Sequence, residues 1–364
     1  MRRAADNPTA ARAATPMDTK HVYIIAEAGV NHGGDMAVAR EMVTRAAAAG
    51  VDAVKFQSFT ADGLTHAALA ADQHAFFAQF ELSRAEHAEL AALCGEHGVD
   101  FLSTPFDFGM ADLLAELDVP AFKIASCDLT NLPLIRHCAA FGKPLYISTG
   151  MGDLAEAQAA LDAACTAGAP RVVLLQCTTN YPTAYPDVHL RALEALASVG
   201  AEQCSARAGD EGSGPSIARP LPAAVGFSDH SIGNWCCFGA VALGATVIEK
   251  HFCLDKTAPG PDIACSCDPA ELADLVRGIR ALEAALGEPG KHRLASESAI
   301  ATIARRGVYY ASDLPAGHIL GASDLRFLRP ASTLSPAQAD ELLGRALRQD
   351  VSSGQAATRT DVSG

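Results

Sequence analysis

The sequence predicts an α/β fold, a (β/α)8 barrel of the TIM type, followed by a small β-rich domain. Short apolar runs rich in β-branched residues recur along residues 21–287, and Ala/Leu-rich stretches of helical length separate them. Past residue 303 the pattern changes to short strand-like pieces with turns. Because 49% of the 364 residues are hydrophobic and 19% are charged, the chain can bury a large core.

The strand-like runs number eight and span about 265 residues, which is the size and rhythm of a parallel barrel. They are nearly all apolar, as expected for strands covered on both faces. A doubly wound open sheet is the alternative, and the lack of a GxGxxG after the first run disfavours it. The predicted strands are His21–Ala28, Ala53–Gln57, Asp100–Thr104, Ala121–Ser126, Pro144–Thr149, Arg171–Thr178, Ala224–Ser228 and Thr246–Phe252.

The remaining segments complete the predicted organisation. Residues 1–20 are rich in Ala and Arg and are expected to be a disordered tail, because they lack the apolar stretch of a signal peptide. Residues 201–219 are rich in Gly, Ser and Ala and are expected to be an exposed insertion within the barrel of residues 21–287. Residues 288–303 are predicted to be a linker to the small domain, 304–364.

Charge and cysteine content exclude several classes of function. With 28 Lys and Arg against 42 Asp and Glu, the net charge of −14 disfavours nucleic acid and anionic membranes as partners. No apolar run is long enough for a membrane span. The eleven cysteines include no CxxC pair, which favours reduced thiols in a cytoplasmic protein over a disulfide framework or a thiolate metal site.

Polar side chains collect at the carboxyl ends of the predicted strands, where barrel enzymes carry their active sites. Lys55 and Lys123 lie inside the apolar second and fourth strands, where an unpaired ammonium group is costly. Each could pair with a core carboxylate. Two of them on separate strands near Ser and Thr also fit a cradle for a phosphate or carboxylate.

His230 and His251 end the consecutive seventh and eighth strands, so their imidazoles can converge. A lone barrel histidine is commonly a hydrogen-bonded structural residue, whereas this paired placement predicts a divalent-metal site. Nearby carboxylates favour Mn²⁺ or Mg²⁺ over a closed zinc site. Because side chains alternate along a strand, Glu249 shares the face of His251, and Lys250 is expected to point outward toward the helices.

With these residues in view, the sequence resembles the sialic acid synthase family, which includes the N-acetylneuraminate, legionaminate and pseudaminate synthases. The resemblance extends from about Ile25 to Pro269 and continues in the tail, which resembles the family's antifreeze-like (SAF) domain. The matching stretches are IAEAGVNHGGD, DAVKFQSF, FLSTPFD, FKIASCDLTNLPLI, GKPLYISTGM, CTTNYPT, GFSDHSIG, GATVIEKHFCLDK, GPD, and in the tail ARRGVYYASDLPAGHIL, LRFLRP and LGRALRQDVSSGQ.

The resemblance implies condensation of phosphoenolpyruvate with an N-acyl hexosamine, usually N-acetylmannosamine. It assigns the binding of phosphoenolpyruvate to Lys55, Thr104, Lys123, Ser126 and Ser228, with Gln57 beside them. It assigns metal binding to His230 and His251. The residues that it places around the metal-bound water and the sugar are Glu27, Tyr181, Glu249 and Asp262. It also implies a homodimer in which Arg329, from the SAF domain of one chain, reaches the sugar bound by the other. Diacetamido-hexose acceptors, a phosphorylated aldose acceptor and a non-catalytic binding barrel are the alternatives.

The sequence departs from the family pattern on the sugar side. Asp262 is followed by Ile263 where histidine is common, and Thr179 stands where some members place asparagine two residues before the tyrosine. The role of that asparagine is therefore not carried over to Asn180, and the role of His32 is left open. These differences concern the choice of acceptor more than donor binding.

Overall fold

A computed structural model describes residues 21–199 and 224–363. They divide into two compact units, one ending at Gly287 and the other beginning at Glu288. The predicted tail at 1–20 and the predicted insertion at 201–219 lie outside the described residues.

The first unit contains eight parallel strands arranged as a nearly closed barrel, as the sequence predicts. Strand β1 pairs with both β2 and β8, and the end strands β3 and β4 lie next to each other, so the strands form a ring rather than an open doubly wound sheet. Within the described chain, no hydrogen-bonded ladder joins the neighbouring strands β3 and β4. The strands are β1 (Tyr23–Gly29), β2 (Ala53–Ser58), β3 (Asp100–Pro105), β4 (Phe122–Ile124), β5 (Leu145–Ser148), β6 (Val172–Cys177), β7 (Ala224–Asp229) and β8 (Val247–His251).

Helices cover the outside of these strands, and their ends follow local capping signals. Asp35 and Asp107 accept hydrogen bonds at helix starts, while Ser83, Asp153 and Asp268 form capping boxes with a glutamate three residues later. The helices are α1 (Met36–Ala49), α2 (Ala61–Leu64), α3 (Ala71–Phe77), α4 (Arg84–Glu96), α5 (Phe108–Glu116), α6 (Leu132–Ala140), α7 (Leu154–Thr166), α8 (192–199), α9 (Trp235–Ala242) and α10 (Pro269–Leu286).

The alternation of side chains along the strands divides the core into two layers. The larger layer fills the space between strands and helices. The smaller one fills the lower part of the barrel interior with residues such as Leu102, Tyr146 and Val247. In each of these strands, the inward side chain two residues later is polar. A polar cavity therefore lies at the carboxyl ends of the strands, and the smaller apolar layer fills the barrel interior beneath it.

The second unit is small and contains an antiparallel pair of strands, β9 (Gly307–Tyr310) and β10 (Leu325–Leu328). It has its own core, which includes Val308, Tyr310 and Leu342. A short helix, α11 (Ser298–Ala304), precedes β9 within the stretch predicted to be a linker. Arg329 directly follows β10 and is exposed. No described helix combines the length and apolar character that a membrane crossing requires.

Candidate functional site

A cavity of about 160 Å³ lies at the carboxyl ends of the barrel strands. Every predicted site residue of the barrel lines it except Asp262, which lies beside it. The predicted residues that line it are Glu27, Lys55, Gln57, Thr104, Lys123, Ser126, Tyr181, Ser228, His230, Glu249 and His251. The structure therefore brings together residues that are separated by more than 200 positions in the sequence.

Lys55 points into this cavity and is only 2% exposed. Its Nζ lies 2.6 Å from Glu27 Oε2 and donates to Thr104 Oγ1 at 3.2 Å. Burial lowers the pKa of Lys55, but Glu249 and Glu27 outweigh it and hold this pKa above its ordinary value. Lys55 therefore has the carboxylate partner that one reading of the sequence expected, and it also faces the cavity with its charge retained.

Lys123 lines the same cavity and has a looser set of partners. Its Nζ donates to Ser148 Oγ at 2.7 Å and to the Ile124 carbonyl at 3.1 Å, and Glu249 Oε1 is 3.6 Å away. Burial lowers the pKa of Lys123, and the charge of Glu249 opposes that shift. The carboxylate nearest to Lys123 is thus more distant than the one beside Lys55, which leaves the Lys123 ammonium group better able to bind an incoming anion.

Two carboxylates with different environments face the two lysines. Burial raises the pKa of Glu27 to about 7, despite the opposing charge of Lys55. For Glu249, burial acts in the same upward direction, but the charges of Lys123 and Lys55 and a hydrogen bond from Ser228 at 2.9 Å prevail and lower its pKa. Glu27 can therefore exchange a proton near neutral pH, while Glu249 stays ionised between the lysines.

The two predicted metal histidines lie side by side, with ring centroids 5.1 Å apart. His230 Nδ1 contacts the Thr178 carbonyl at 2.7 Å, which leaves Nε2 as the nitrogen available to a ligand. The Nδ1 atom of His251 is buried and has no hydrogen-bond partner among the described residues. Burial and the neighbouring His230 hold the pKa of His251 well below its ordinary value, so the ring is neutral, the form that binds metal.

Tyr181 and Asp262 complete this side of the cavity. The ring of Tyr181 stacks on His230 with centroids 4.0 Å apart, and Asp262 Oδ2 lies 3.5 Å from His251 Nδ1. Because metal–imidazole bonds are about 2 Å long, two rings at this spacing can share one ion. In the described ranges no group of three or more His, Cys, Asp or Glu side chains is arranged to hold a metal. An ion held by the two imidazoles alone would need water or substrate for its remaining ligands.

Two residues near the motifs lie outside the cavity. Lys250 points toward the helices as predicted, where its Nζ is 2.8 Å from Asp229 Oδ2. His32 is buried beneath the first loop, and its Nδ1 accepts a hydrogen bond from the Gly34 amide at 3.1 Å. Burial lowers the pKa of His32 to about 4, which identifies a neutral residue that shapes the loop.

Some cavity residues were not selected from the sequence. Ser148 and Cys177 face the cavity, and the alternation of side chains along β5 and β6 could have identified both. Gly150 was also not selected, and it matters because its backbone approaches two cavity residues closely. Its amide donates to Ser126 Oγ at 3.1 Å, and a Cβ atom at this position would lie 2.3 Å from Thr179 Oγ1. Such a close backbone approach carries no periodic signal in the sequence.

Comparison with known proteins agrees with this geometry. The chain matches the NeuB family model over residues 42–203 and 215–291 and the SAF domain model over residues 305–363. It is 38% identical to the N,N'-diacetyllegionaminic acid synthase of Legionella pneumophila, over 91% of this chain and 92% of that one. It is 33% identical to the human N-acetylneuraminate-9-phosphate synthase, over 82% and 80% of the two chains.

A solved structure gives the same result. The N-acetylneuraminic acid synthetase of Leptospira borgpetersenii, in complex with citrate, is 31% identical and superposes with a TM-score of 0.67 over 77% of this chain and 90% of that one. The chain therefore belongs to the NeuB family, the sialic acid synthase family that its motifs predict, and it ends in a SAF domain.

Proposed function

We propose that this enzyme joins phosphoenolpyruvate to the aldehyde carbon of an N-acyl hexosamine and releases a nonulosonic acid and inorganic phosphate. One observation carries the proposal. Two buried lysines from β2 and β4 and two neighbouring imidazoles from β7 and β8 line a single cavity. Such a cavity offers cationic groups to an anionic donor and a metal position to a carbonyl acceptor.

The donor half of the cavity suits the carboxylate and phosphate of phosphoenolpyruvate. Lys55 and Lys123 supply the positive charge that a chain of net charge −14 must concentrate locally. Hydroxyl groups of Thr104, Ser126 and Ser148 line the same space and can donate to phosphate oxygens. Because these groups come from β3 to β5, they hold the donor away from the two imidazoles.

The acceptor half contains His230, His251, Asp262 and Tyr181, and we propose that the two histidines hold Mn²⁺ or Mg²⁺. The bound cation would act as a Lewis acid on the aldehyde oxygen, where negative charge develops. His251 supports this assignment because it keeps a buried, neutral ring with no hydrogen-bond partner for Nδ1 among the described residues.

The reaction forms a carbon–carbon bond and a carbon–oxygen bond to water, and it breaks the carbon–oxygen bond to phosphate. The methylene carbon of phosphoenolpyruvate attacks the aldehyde carbon, and its C2 becomes electron-deficient. Water adds at C2 and loses one proton, and the former aldehyde oxygen takes up a proton to become a hydroxyl group. The C2 hydroxyl then gives its proton to the departing phosphate as the C2–O bond to phosphate breaks. We propose that Glu27 accepts the proton of that water, and its pKa of about 7 supports this role.

For the acceptor, we propose N-acetylmannosamine first and a diacetamido-hexose as the second candidate. The solved relative named as an N-acetylneuraminic acid synthetase supports the first acceptor, and two other observations support the second. The relative of 38% identity is named as a diacetyllegionaminic acid synthase. In addition, Thr179 replaces the asparagine that some family members carry beside the tyrosine, and its buried Oγ1 lacks a hydrogen-bond partner in the described part of the chain.

An acceptor with its own phosphate, which the name of the human relative suggests, has less support. The lysines and arginines that line the described cavity are Lys55 and Lys123 alone, and both belong to the donor half. A second phosphate would lack a cationic partner there. A non-catalytic barrel is disfavoured because both lysines, both histidines and Glu27 are retained and converge.

We also propose a homodimer in which Arg329 of one chain contacts the N-acyl group of the sugar bound by the other. The family resemblance of the FLRP stretch and the exposure of Arg329 support this. A planar guanidinium group suits an amide oxygen better than an ammonium group does. We also propose a cytoplasmic location, which the lack of any CxxC pair among the eleven cysteines supports.

The function is tested by incubating the enzyme with Mn²⁺, phosphoenolpyruvate and each acceptor in turn: N-acetylmannosamine, its 6-phosphate and a diacetamido-hexose. We expect phosphate release and a product whose mass is that of acceptor plus pyruvate. His251→Ala should lose activity and metal response together, whereas His66→Ala, at an exposed position, should match the wild type. Absence of turnover with every N-acyl hexosamine overturns the proposal.

A further inference from the structure

We infer that Lys250 and Asp229 form a buried clamp that holds His230 and His251 in position before any ion binds. The inference rests on the proposed metal role of these histidines. Asp229 immediately precedes His230, and Lys250 immediately precedes His251. Asp229 and Lys250 belong to the stretches GFSDHSIG and GATVIEKHFCLDK that match the family, but neither residue lines the cavity. They are therefore positioning residues.

The clamp joins the two strands from outside the barrel. Asp229 and Lys250 are cross-strand partners in the β7–β8 ladder, and Lys250 Nζ lies 2.8 Å from Asp229 Oδ2. Because side chains alternate along a strand, a contact on the outer face leaves the next residue of each strand pointing inward. Fixing the outer pair thus fixes the separation of the two inward imidazoles.

Lys250 also donates a hydrogen bond to the backbone immediately after His230. Its Nζ donates to the carbonyl of Ser231, while the Ser231 amide donates to Asp229 Oδ1 at 2.8 Å. Asp229 accepts a further bond from Cys237 Sγ at 3.2 Å, which ties it to α9. The lysine therefore bonds to the residues on both sides of His230, and the backbone of His230 has little freedom to rotate its ring away.

The burial of this pair is the reason to assign it a positioning role. Lys250 is 0% exposed and Asp229 is 1% exposed. A buried ion pair contributes little net stability compared with apolar residues of the same volume, because removing two charges from water offsets their attraction. What apolar residues cannot supply is the directional bonding to Ser231 and Asp229, and that bonding sets the geometry of the histidines.

The test compares Lys250→Met with the double variant Asp229→Asn/Lys250→Met. The single variant leaves a buried carboxylate unpaired and is expected to lose stability. The double variant removes both charges and is expected to recover most of the melting temperature. Mn²⁺ affinity, measured from the EPR signal of the free ion, is expected to stay weakened in both by about 10- to 100-fold, the usual effect of losing support behind a metal ligand.

Two further measurements separate positioning from general damage. Affinity for phosphoenolpyruvate without Mn²⁺ should be unchanged in the double variant, because Lys55 and Lys123 lie on other strands. Lys143→Met is the matched control, since Lys143 pairs with Asp118 at an exposed position. It should leave Mn²⁺ affinity unchanged.

Hydrogen exchange of the wild type keeps the inference testable if the variants do not fold. The Ser231 amide and the amides of β8 should already be protected without Mn²⁺. Protection that develops only with Mn²⁺ overturns the clamp, as does a folded double variant of wild-type Mn²⁺ affinity. A wild type that turns over substrate without binding Mn²⁺ overturns the proposed metal role instead.

Discussion

Glu27→Gln is expected to change how the stability of the barrel depends on pH. Glu27 is 2% exposed, and its Oε1 is 3.4 Å from Gln57 Nε2. Burial raises its pKa from 4.5 to about 7. Glutamine has nearly the same shape and cannot titrate, so the substitution removes this proton equilibrium with little change in packing.

The sign and size follow from proton linkage. Because the pKa is raised on folding, the native state keeps a proton that the unfolded chain has already released, and stability falls as the pH rises from 4.5 through 7. Between pH 6 and pH 8 the wild type should lose about 1.3 kcal/mol through Glu27, roughly one pH unit of linkage. Over that interval Glu27→Gln should therefore gain about 1 kcal/mol relative to wild type.

The assay is urea denaturation at pH 6 and pH 8, followed by far-UV circular dichroism, for wild type, Glu27→Gln and the exposed control Glu96→Gln. The control should show no relative change between the two pH values. The same Glu27→Gln protein should lose at least about 100-fold in kcat if Glu27 handles the proton of the attacking water. A Glu27→Gln difference that stays constant with pH, or moves the other way, refutes the raised pKa.

Three other predictions concern the substrates and the assembly. Lys123→Met should raise the KM for phosphoenolpyruvate about 10- to 150-fold, because it removes one charge-assisted hydrogen bond. The control Lys143→Met should leave this KM unchanged, and equal effects of the two substitutions would contradict a role of Lys123 in binding phosphoenolpyruvate. Arg329→Ala should raise the sugar KM far more than the phosphoenolpyruvate KM, and steady-state kinetics with each substrate varied would expose the opposite pattern. Sedimentation should find a dimer, and a fully active monomer would refute the exchange of SAF domains.

Much of the barrel could be predicted from the sequence because its signals are local. Apolar β-branched runs mark the strands, and the Ala/Leu-rich stretches between them mark helices such as α1 and α10. Alternation along a strand also predicted that Lys250 points outward while His251 points inward. The direction of a side chain on a strand depends only on its position along that strand, so the sequence pattern is sufficient to predict it.

Other features depend on contacts between distant residues and left no such signal. Nothing in the sequence predicts that, among the described strands, β3 and β4 lack a hydrogen-bonded ladder. The contrast between Glu27 and Glu249 arises because burial prevails at Glu27, whereas the two lysines and a hydrogen bond from Ser228 prevail at Glu249. The sequence does not contain these contacts. The close approach of Gly150 to Thr179 is likewise visible only in three dimensions.

A crystal structure of the enzyme with Mn²⁺ and phosphoenolpyruvate tests the central claim most directly. We expect one Mn²⁺ ion bonded to a ring nitrogen of both His230 and His251, and donor oxygens within about 3.2 Å of Lys55 Nζ and Lys123 Nζ. An ion bound elsewhere, or phosphoenolpyruvate lying outside the reach of both lysines, would contradict the account.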